Sequence, residues 1–318
     1  MIVNGKIMTV NGPIDVDDLG FVLTHEHVLV DFIGAEQAGK HRYDEDEAFA
    51  VILPHLEQAK KLGCATFVEC TPSYLGQDPI LLKRLAAATG MHLLTNTGYY
   101  GAADDRYVPA HAYGETADQL AQRWVDEFNE GIDGTDVRPG FIKIGVDPQP
   151  LSAIDEKLVR AAARAHRQTG LTIMSHTSLA TPAHEEIAVL KEEGISPEAW
   201  IWTHAQNESD NEQHRRAAEQ GAWIAFDGVS ANPEELARDL KHLLAMKKFG
   251  LLDRVLLSHD AGWYRPGETM GGDFRPFVDL FESLLPALRE RGFTDGELHS
   301  LTVGNPRRAF AIQVRSSQ

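Results

Sequence analysis

The sequence predicts an α/β fold, a (β/α)8 TIM barrel with a short N-terminal β-hairpin extension. Eight short apolar segments recur along the chain, and each is followed by a segment with helical periodicity. Residues typical of metal sites stand at the ends of the first and the eighth apolar segment, and a closed ring of strands brings these two together. An open doubly wound sheet, which would place its ligand groups at one crevice, is the alternative.

The eight predicted strands are short and apolar inside, as expected for parallel strands that helices cover on both faces. Their predicted bounds are residues 20–28, 65–71, 91–99, 140–146, 171–177, 199–205, 222–227 and 254–260.

Start and stop signals separate the helices between these strands. Ser152 and Thr294 are each followed three positions later by an acidic residue, which is typical of a capping box. Asn232 precedes Pro233, a cap followed by proline at the first helical position. Glycines end several helices shortly before the next strand. Each strand–helix unit therefore carries its own boundaries.

Nothing in the chain resembles a linker, a low-complexity tract or an internal repeat. We therefore predict one domain over residues 1–318, with a hairpin at 1–20 that turns at 11–13, and a barrel at 21–310.

Composition narrows the class of protein. The 318 residues are 43% hydrophobic and 24% charged, which suits a globular protein with a sizeable core. The formal net charge of −17 repels phosphate backbones and anionic lipid, so neither nucleic acid nor membrane is an expected partner. No secretory signal pattern or membrane-spanning run is seen, so we expect a cytoplasmic location. The two cysteines, Cys64 and Cys70, are too few for a disulfide framework or a cysteine-rich zinc site.

Imidazole and carboxylate groups stand where the apolar segments end, in T-H-E-H, M-S-H-T, W-T-H-A and L-S-H-D. Residues two apart on a strand face the same way, so His25 and His27 face the barrel interior while Glu26 faces outward. His259 is likewise expected to face the helices. These groups bind divalent metals, and the sequence predicts a metal site formed by His25, His27, His176, His204 and Asp260.

Lys143 lies in F-I-K-I-G at the end of the fourth segment, among these groups. An ammonium group near two cations would be repelled and has to be neutralised. A lysine that has captured carbon dioxide becomes a carbamate, whose two oxygens can bridge two metals. The alternative is a lysine paired with Asp147 or another carboxylate.

The sequence resembles the phosphotriesterase-related family, which includes phosphotriesterase-like lactonases, within the amidohydrolase superfamily. The matching stretches are G-F-V-L-T-H-E-H-V, T-G-Y-Y, G-F-I-K-I-G, S-H-T, T-H, L-S-H-D and G-N-P-R-R-A-F, from Gly20 to Phe310. The resemblance therefore covers nearly the whole chain.

The resemblance implies a binuclear metal centre, most often zinc, with manganese, cobalt or iron as alternatives. His25, His27 and Asp260 would hold the more buried ion, His176 and His204 the more exposed one, and carbamylated Lys143 would bridge them. A hydroxide shared by both ions would attack the substrate, and Asp260 would accept or orient its proton.

The same resemblance gives candidate substrate contacts. Tyr100, the second tyrosine of T-G-Y-Y, would donate to the substrate oxygen; packing on the pocket rim is the alternative. Asp227 is retained in F-D-G-V-S, but the arginine that lactonase members often carry soon afterwards is absent, which argues against acyl-homoserine lactones. The predicted substrate-binding residues are Tyr99, Tyr100, Asp227, Trp263, Tyr264 and Arg265.

The predicted function is hydrolysis of a small-molecule lactone or carboxylic ester, with a phosphotriesterase side activity. One alternative is a mononuclear deaminase or amidase of the same superfamily, against which Lys143 counts. A catalytically silent barrel that acts as a binding protein is the other. The resemblance also implies a homodimer. The remaining helical histidines, among them His166, His214 and His242, are expected to be exposed.

Overall fold

The structure is a computed structural model that describes residues 4–317. Residues 1–3 of the predicted hairpin, and residue 318, lie outside the described residues, and the division into a hairpin at 1–20 and a barrel at 21–310 within one domain stays a prediction. The strands are β1 Lys6–Thr9, β2 Gly12–Asp15, β3 Phe21–Leu29, β4 Cys64–Glu69, β5 His92–Leu94, β6 Asn96–Thr97, β7 Phe141–Gly145, β8 Ile173–His176, β9 Trp200–Thr203, β10 Trp223–Phe226, β11 Val255–Leu257 and β12 Gly262–Tyr264.

The helices alternate with these strands. They are α1 Glu45–Lys61, α2 Pro79–Thr89, α3 His111–Gly114, α4 Ala117–Glu130, α5 Ala153–Thr169, α6 Ala180–Glu192, α7 Asn211–Glu219, α8 Pro233–Phe249, α9 Leu285–Glu290, α10 Asp295–His299 and α11 Asn305–Phe310. Two π-helical turns, Leu280–Leu284 and Ser300–Gly304, precede α9 and α11. None of the helices in the described part of the chain is long and apolar enough to cross a bilayer.

The strands from β3 onward form a closed parallel ring. β3 pairs with β4 and β4 with β5, while β6 to β11 pair in chain order. β5 and β6 are two pieces of the third barrel strand, and β11 and β12 are two pieces of the eighth. β12 returns to β3, with Gly262 opposite His27, and closes the ring. The predicted (β/α)8 barrel is therefore confirmed.

The N-terminal hairpin closes the lower end of this ring. β1 and β2 pair antiparallel with Thr9 opposite Gly12, so the turn is Val10–Asn11 and the prediction of a turn at 11–13 was wrong by one position. The Thr9 hydroxyl donates to the Gly12 carbonyl at 2.8 Å, which closes the turn before Pro13 is reached. Ile7 joins a cluster of inward-facing barrel residues that includes Phe310 of α11. Both ends of the described chain thus cover the barrel floor.

The helix caps follow the sequence signals. Ser152 and Thr294 form capping boxes, and Asn232 accepts hydrogen bonds from two main-chain N–H groups of α8. The expectation that His166, His214 and His242 are exposed was wrong, because all three are buried. Their ring nitrogens hydrogen-bond to groups inside the molecule, as His166 Nδ1 does with the Leu171 carbonyl at 2.8 Å, and a satisfied imidazole is tolerated there.

Candidate active site

The barrel brings the six predicted ligands together at the C-terminal ends of its strands. They lie on or directly after β3, β7, β8, β9 and β11, where parallel strands expose their last residues to the same mouth. They line a cavity of about 100 Å³: His25, His27, Lys143, His176, His204 and Asp260.

Asp260 is the centre of the imidazole cluster. Its Oδ1 lies 3.0 Å from His27 Nε2 and 3.7 Å from His25 Nε2, and its Oδ2 lies 3.9 Å from His204 Nδ1. The rings of His176 and His204 pack with centroids 4.2 Å apart. Burial opposes ionisation of Asp260, but the hydrogen bond from His27 and the neighbouring imidazoles outweigh it and lower its pKa. A carboxylate among imidazoles is a donor set for a divalent cation, and His25, His27 and Asp260 are close enough to hold one.

Asp227 lies beneath the histidines and is fully buried. It does not line the cavity, so its predicted contact with substrate is corrected. Its carboxylate accepts from His25 Nδ1 at 2.8 Å and from His204 Nδ1 at 2.9 Å. Carboxylates commonly fix metal-binding imidazoles in this way. The arrangement leaves Nε2 of His25 and of His204 free toward the cavity. His25, His204 and Asp227 also have ligand spacing, but both Nδ1 atoms are already engaged.

Lys143 is 1% exposed, and its Nζ has no hydrogen-bond partner among residues 4–317. The alternative pairing with Asp147 is not found, since that carboxylate accepts from the main-chain N–H groups of Ala103 and Asp104. Burial lowers the pKa of Lys143, which favours the neutral amine that reacts with carbon dioxide. An orphaned amine beside the histidines and Asp260 fits a divalent metal centre with a carbamate.

Two of the six groups have left-handed backbone geometry, which is rare outside glycine. His204 has φ of 60° and Asp260 has φ of 53°. Such conformations cost about 1–2 kcal/mol each and persist where the surroundings enforce them. The His204 N–H donates to Asp227, and the Asp260 N–H donates to the His25 carbonyl at 3.1 Å. The backbone therefore aims both side chains into the mouth.

Glu26 occupies the outward face of β3, as predicted, and is fully buried. It accepts from the Ser258 hydroxyl at 2.7 Å, from the main-chain N–H groups of His259 and Ala261 at 2.9 Å each, and from His259 Nδ1. Burial opposes its ionisation, but His259 and the other donors outweigh burial and lower its pKa. This role of Glu26 was not predicted.

Tyr100 lines the cavity, and its hydroxyl lies 3.0 Å from His176 Nδ1. Burial raises its pKa, with Asp260 adding to the effect, so the phenol keeps its proton. It is therefore placed as a hydrogen-bond donor at the mouth.

Of the other predicted substrate contacts, only Trp263 lines this cavity. Tyr264 faces the opposite side of β12 and donates to Glu47 of α1 at 2.6 Å, so its predicted place in the pocket wall is corrected. Arg265 bonds to Glu268 and to the Asp273 carbonyl, away from the cavity.

Tyr99 points toward α3 and α4: its hydroxyl lies 3.0 Å from His111 Nε2 on α3, and its ring packs on Trp124 of α4. Neither Tyr99 nor Arg265 lines the cavity that holds the predicted metal ligands, so their predicted contact with substrate is corrected.

The remaining cavity wall is apolar and was not predicted. Its residues come after the ends of the first two barrel strands. That location was the only signal in the sequence that could have identified them. It consists of Val30, Phe32, Cys70, Pro72 and Leu75.

A closed parallel barrel that presents four imidazoles, a carboxylate and a buried lysine at its C-terminal mouth defines a metal-dependent hydrolase of the amidohydrolase type. A family model described as "Phosphotriesterase family" matches residues 5–310. The chain belongs to the phosphotriesterase family.

Relatives cover almost the full length of the chain. It is 30% identical over 298 residues to the phosphotriesterase homology protein of Escherichia coli (strain K12), covering 92% of this chain and 99% of the relative. It is 28% identical over 313 residues to the aryldialkylphosphatase of Saccharolobus solfataricus, covering 94% and 97%.

Solved structures agree with the fold. The organophosphorus hydrolase from Deinococcus radiodurans superposes with a TM-score of 0.87 at 28% identity, over 96% of this chain and 97% of that one. A structure described as "Molecular Engineering of Organophosphate Hydrolysis Activity from a Weak Promiscuous Lactonase Template" gives a TM-score of 0.85 at 29% identity, over 96% and 99%.

Proposed function

We propose that the protein hydrolyses a lactone or carboxylic ester at a binuclear metal centre, with a phosphotriesterase side activity. His25, His27 and Asp260 would hold one ion, His176 and His204 the other, and a carbamate on Lys143 both. The observation that carries the proposal is the buried Lys143 Nζ without a partner among the described residues, because a carbamate on this amine would have the neighbouring metal ions as partners.

Two divalent ions would supply hydroxide near neutral pH from a shared water and would polarise the substrate oxygen. Asp260, already ionised, accepts the proton of the attacking water at its carboxylate. Tyr100 Oη donates to the oxygen that gains charge during attack. Asp227 holds the rings of His25 and His204 in one orientation through both Nδ1 atoms.

The size and the lining of the cavity favour a small, uncharged substrate. Its wall is apolar, and Lys143 is the only arginine or lysine among the described residues that line it. The side chains of the lining therefore offer an anionic substrate no cationic partner, since a carbamylated Lys143 would be negative. The aryldialkylphosphatase and the lactonase template among the relatives support the same ester chemistry.

Three further expectations belong to this proposal. Zinc is the expected metal, with manganese, cobalt or iron as alternatives. The protein is expected to act as a homodimer. Its expected location is the cytoplasm.

The test counts metals and carbamate together. Metal-free protein is reconstituted with zinc in ¹³C-labelled bicarbonate, and we expect two ions per chain and one carbamate carbon signal by ¹³C NMR. Lys143→Met should lose the signal, while Lys241→Met, which removes an exposed lysine on α8, should keep it. One ion per chain with unmodified Lys143 would overturn the binuclear centre in favour of the mononuclear deaminase or amidase. Two ions without turnover of any lactone, ester or phosphotriester would favour the silent barrel.

A further inference from the structure

A second cavity, of about 400 Å³, opens at the N-terminal end of the barrel, opposite the metal-site mouth. Four arginines line it, and Glu198 is the only acidic residue among the described residues that do so. This concentration of positive charge stands out in a chain with a formal net charge of −17. The arginines lie before β11, in α11 and in the segment after it: Arg254, Arg307, Arg308 and Arg315.

Two of these guanidinium groups are held around one indole. Arg254 and Arg308 lie 5.4 Å and 5.2 Å from the ring centre of Trp223. The indole is itself fixed, because its Nε1 donates to the Glu198 carbonyl at 3.1 Å. Two like charges are thus kept near each other by the packing, at an electrostatic cost that an anion would relieve.

Carboxylates compensate these charges incompletely. Arg307 pairs with Asp17, whose side chain is 87% exposed, and Arg308 lies 3.8 Å from Asp253, which is 57% exposed. Water screens such exposed pairs strongly. The Nε of Arg307 is buried without a hydrogen-bond partner in residues 4–317.

Arg315 forms no ion pair within the described residues and donates instead to the carbonyls of Arg308 and Ala311. Burial lowers the pKa of Arg315 and outweighs the opposing effect of Glu198, while the charge of Arg254 also lowers it. Arg254 has a partner in the cavity itself, Glu198, at 3.0 Å. The cavity therefore holds four guanidinium groups with one carboxylate among its described lining residues, and the Nε of Arg307 has no partner within residues 4–317.

We propose that this arginine cavity binds a small, multiply charged oxyanion of the phosphate or sulfate type. The planar donor fork of arginine matches tetrahedral oxyanions in two-point contacts. Phosphate on nucleic acid is disfavoured as the source, because the net charge of −17 repels a nucleic-acid backbone. The site is independent of the proposed hydrolysis, because it lies at the other end of the barrel from the metal ligands.

The experiment titrates metal-loaded protein with sodium sulfate, against sodium chloride at equal ionic strength, by calorimetry and tryptophan fluorescence. We expect saturable sulfate binding with a fluorescence change, since Trp223 lies between two of the arginines. Arg308→Gln should weaken binding by about tenfold, the value of one charge-assisted hydrogen bond. Arg289→Gln, on α9 outside the cavity, is the matched control.

A second variant changes affinity in the opposite direction, so that a loss of folding cannot imitate it. Glu198→Gln removes the acidic side chain of the cavity and should tighten sulfate binding by about threefold or more. Glu57→Gln, on the exposed face of α1, removes the same charge elsewhere and should change nothing. No saturable binding, or equal binding by Arg308→Gln and its control, would overturn the proposal. Binding that is lost in Asp260→Ala but kept in Arg308→Gln would place the anion on the metals and would overturn it as well.

Discussion

The carboxylate of Glu26 holds the main chain on both sides of Asp260. Its two oxygens accept from the N–H groups of His259 and Ala261, at 2.9 Å each, while Asp260 between them adopts φ of 53°. Glu26 stands between two predicted ligands, His25 and His27. It also fixes the backbone of a third ligand, Asp260, which is more than 230 positions away. The outward face of β3 therefore supports the chemistry of its inward face.

Glu26→Gln is expected to weaken metal binding by about tenfold or more and to lower the free energy of unfolding by about 2–4 kcal/mol. The amide cannot accept from all the donors that now surround the carboxylate. Metal titration and urea denaturation measure the two effects. Glu69→Gln is the control, because Glu69 lies opposite Glu26 on β4 and burial raises its pKa to about 7. Equal losses in both variants would show that Glu26 acts only as a buried polar group.

Asp227→Asn is expected to lower metal affinity by about 10–100-fold. Oδ2 accepts from His25 and Oδ1 from His204, and asparagine replaces one of these oxygens by an NH2 group that cannot accept. The measurement is metal content after dialysis against a graded series of chelator concentrations. Asp239→Asn serves as control, since Asp239 is also buried but pairs with Arg238 on α8. Full metal retention by Asp227→Asn would show that the imidazoles need no such support.

Tyr100→Phe is expected to lower kcat by about tenfold with unchanged metal content and little change in KM. The phenol donates to charge that develops in the transition state, so its loss affects kcat. Steady-state kinetics on a lactone, with metal analysis of the same sample, checks this. A lower metal content would instead assign Tyr100 to the support of His176 through its 3.0 Å contact with Nδ1.

Stability is expected to fall as pH rises from about 5 to about 8 because of Glu186. Burial raises its pKa from 4.5 to about 8, and Thr177 and Trp200 donate to it. The unfolded state therefore loses this proton at lower pH than the folded state. The stabilising contribution is full below about pH 4.5 and is lost through about pH 8, at about 1.4 kcal/mol per unit.

Glu186→Gln should reduce this slope, and urea denaturation at several pH values within the window measures it. Glu192→Gln changes an exposed glutamate of the same helix and should retain the wild-type slope. An unchanged slope in Glu186→Gln would mean that this carboxyl does not titrate differently in the folded state.

The barrel and its inward-facing ligands could be predicted from the sequence. The end of a strand determines where a residue lies in the barrel, and the alternation of side chains along a strand determines which way it faces. His25 and His27 needed only that rule, and the structure places both in the cavity. The rule that strand ends place side chains in the cavity failed for Asp227 and Tyr264. Both lie outside the cavity, because Asp227 hydrogen-bonds to His25 and Tyr264 to Glu47. Those partners lie far away in sequence, and alternation carries no information about them.

The role of Glu26 could not be predicted for the same reason. Its partner Ser258 is 232 positions away, and only the closed ring brings β3 beside the eighth strand. The buried histidines were missed because a helical pattern shows which residues are polar but not which main-chain groups need a partner. His166, for instance, accepts from the N–H of Arg315 in the segment after α11.

The floor of the barrel is assembled from both ends of the described chain. The Gly5 N–H donates to the Ile312 carbonyl at 2.8 Å, and the Ile312 N–H donates to the Lys6 carbonyl at 2.9 Å. During synthesis the ribosome releases residue 5 long before residue 312, so the apolar lower opening stays uncovered while the barrel strands emerge. Closure of the barrel floor therefore waits until residue 312 has been synthesised, and until then the apolar lower opening stays exposed to water.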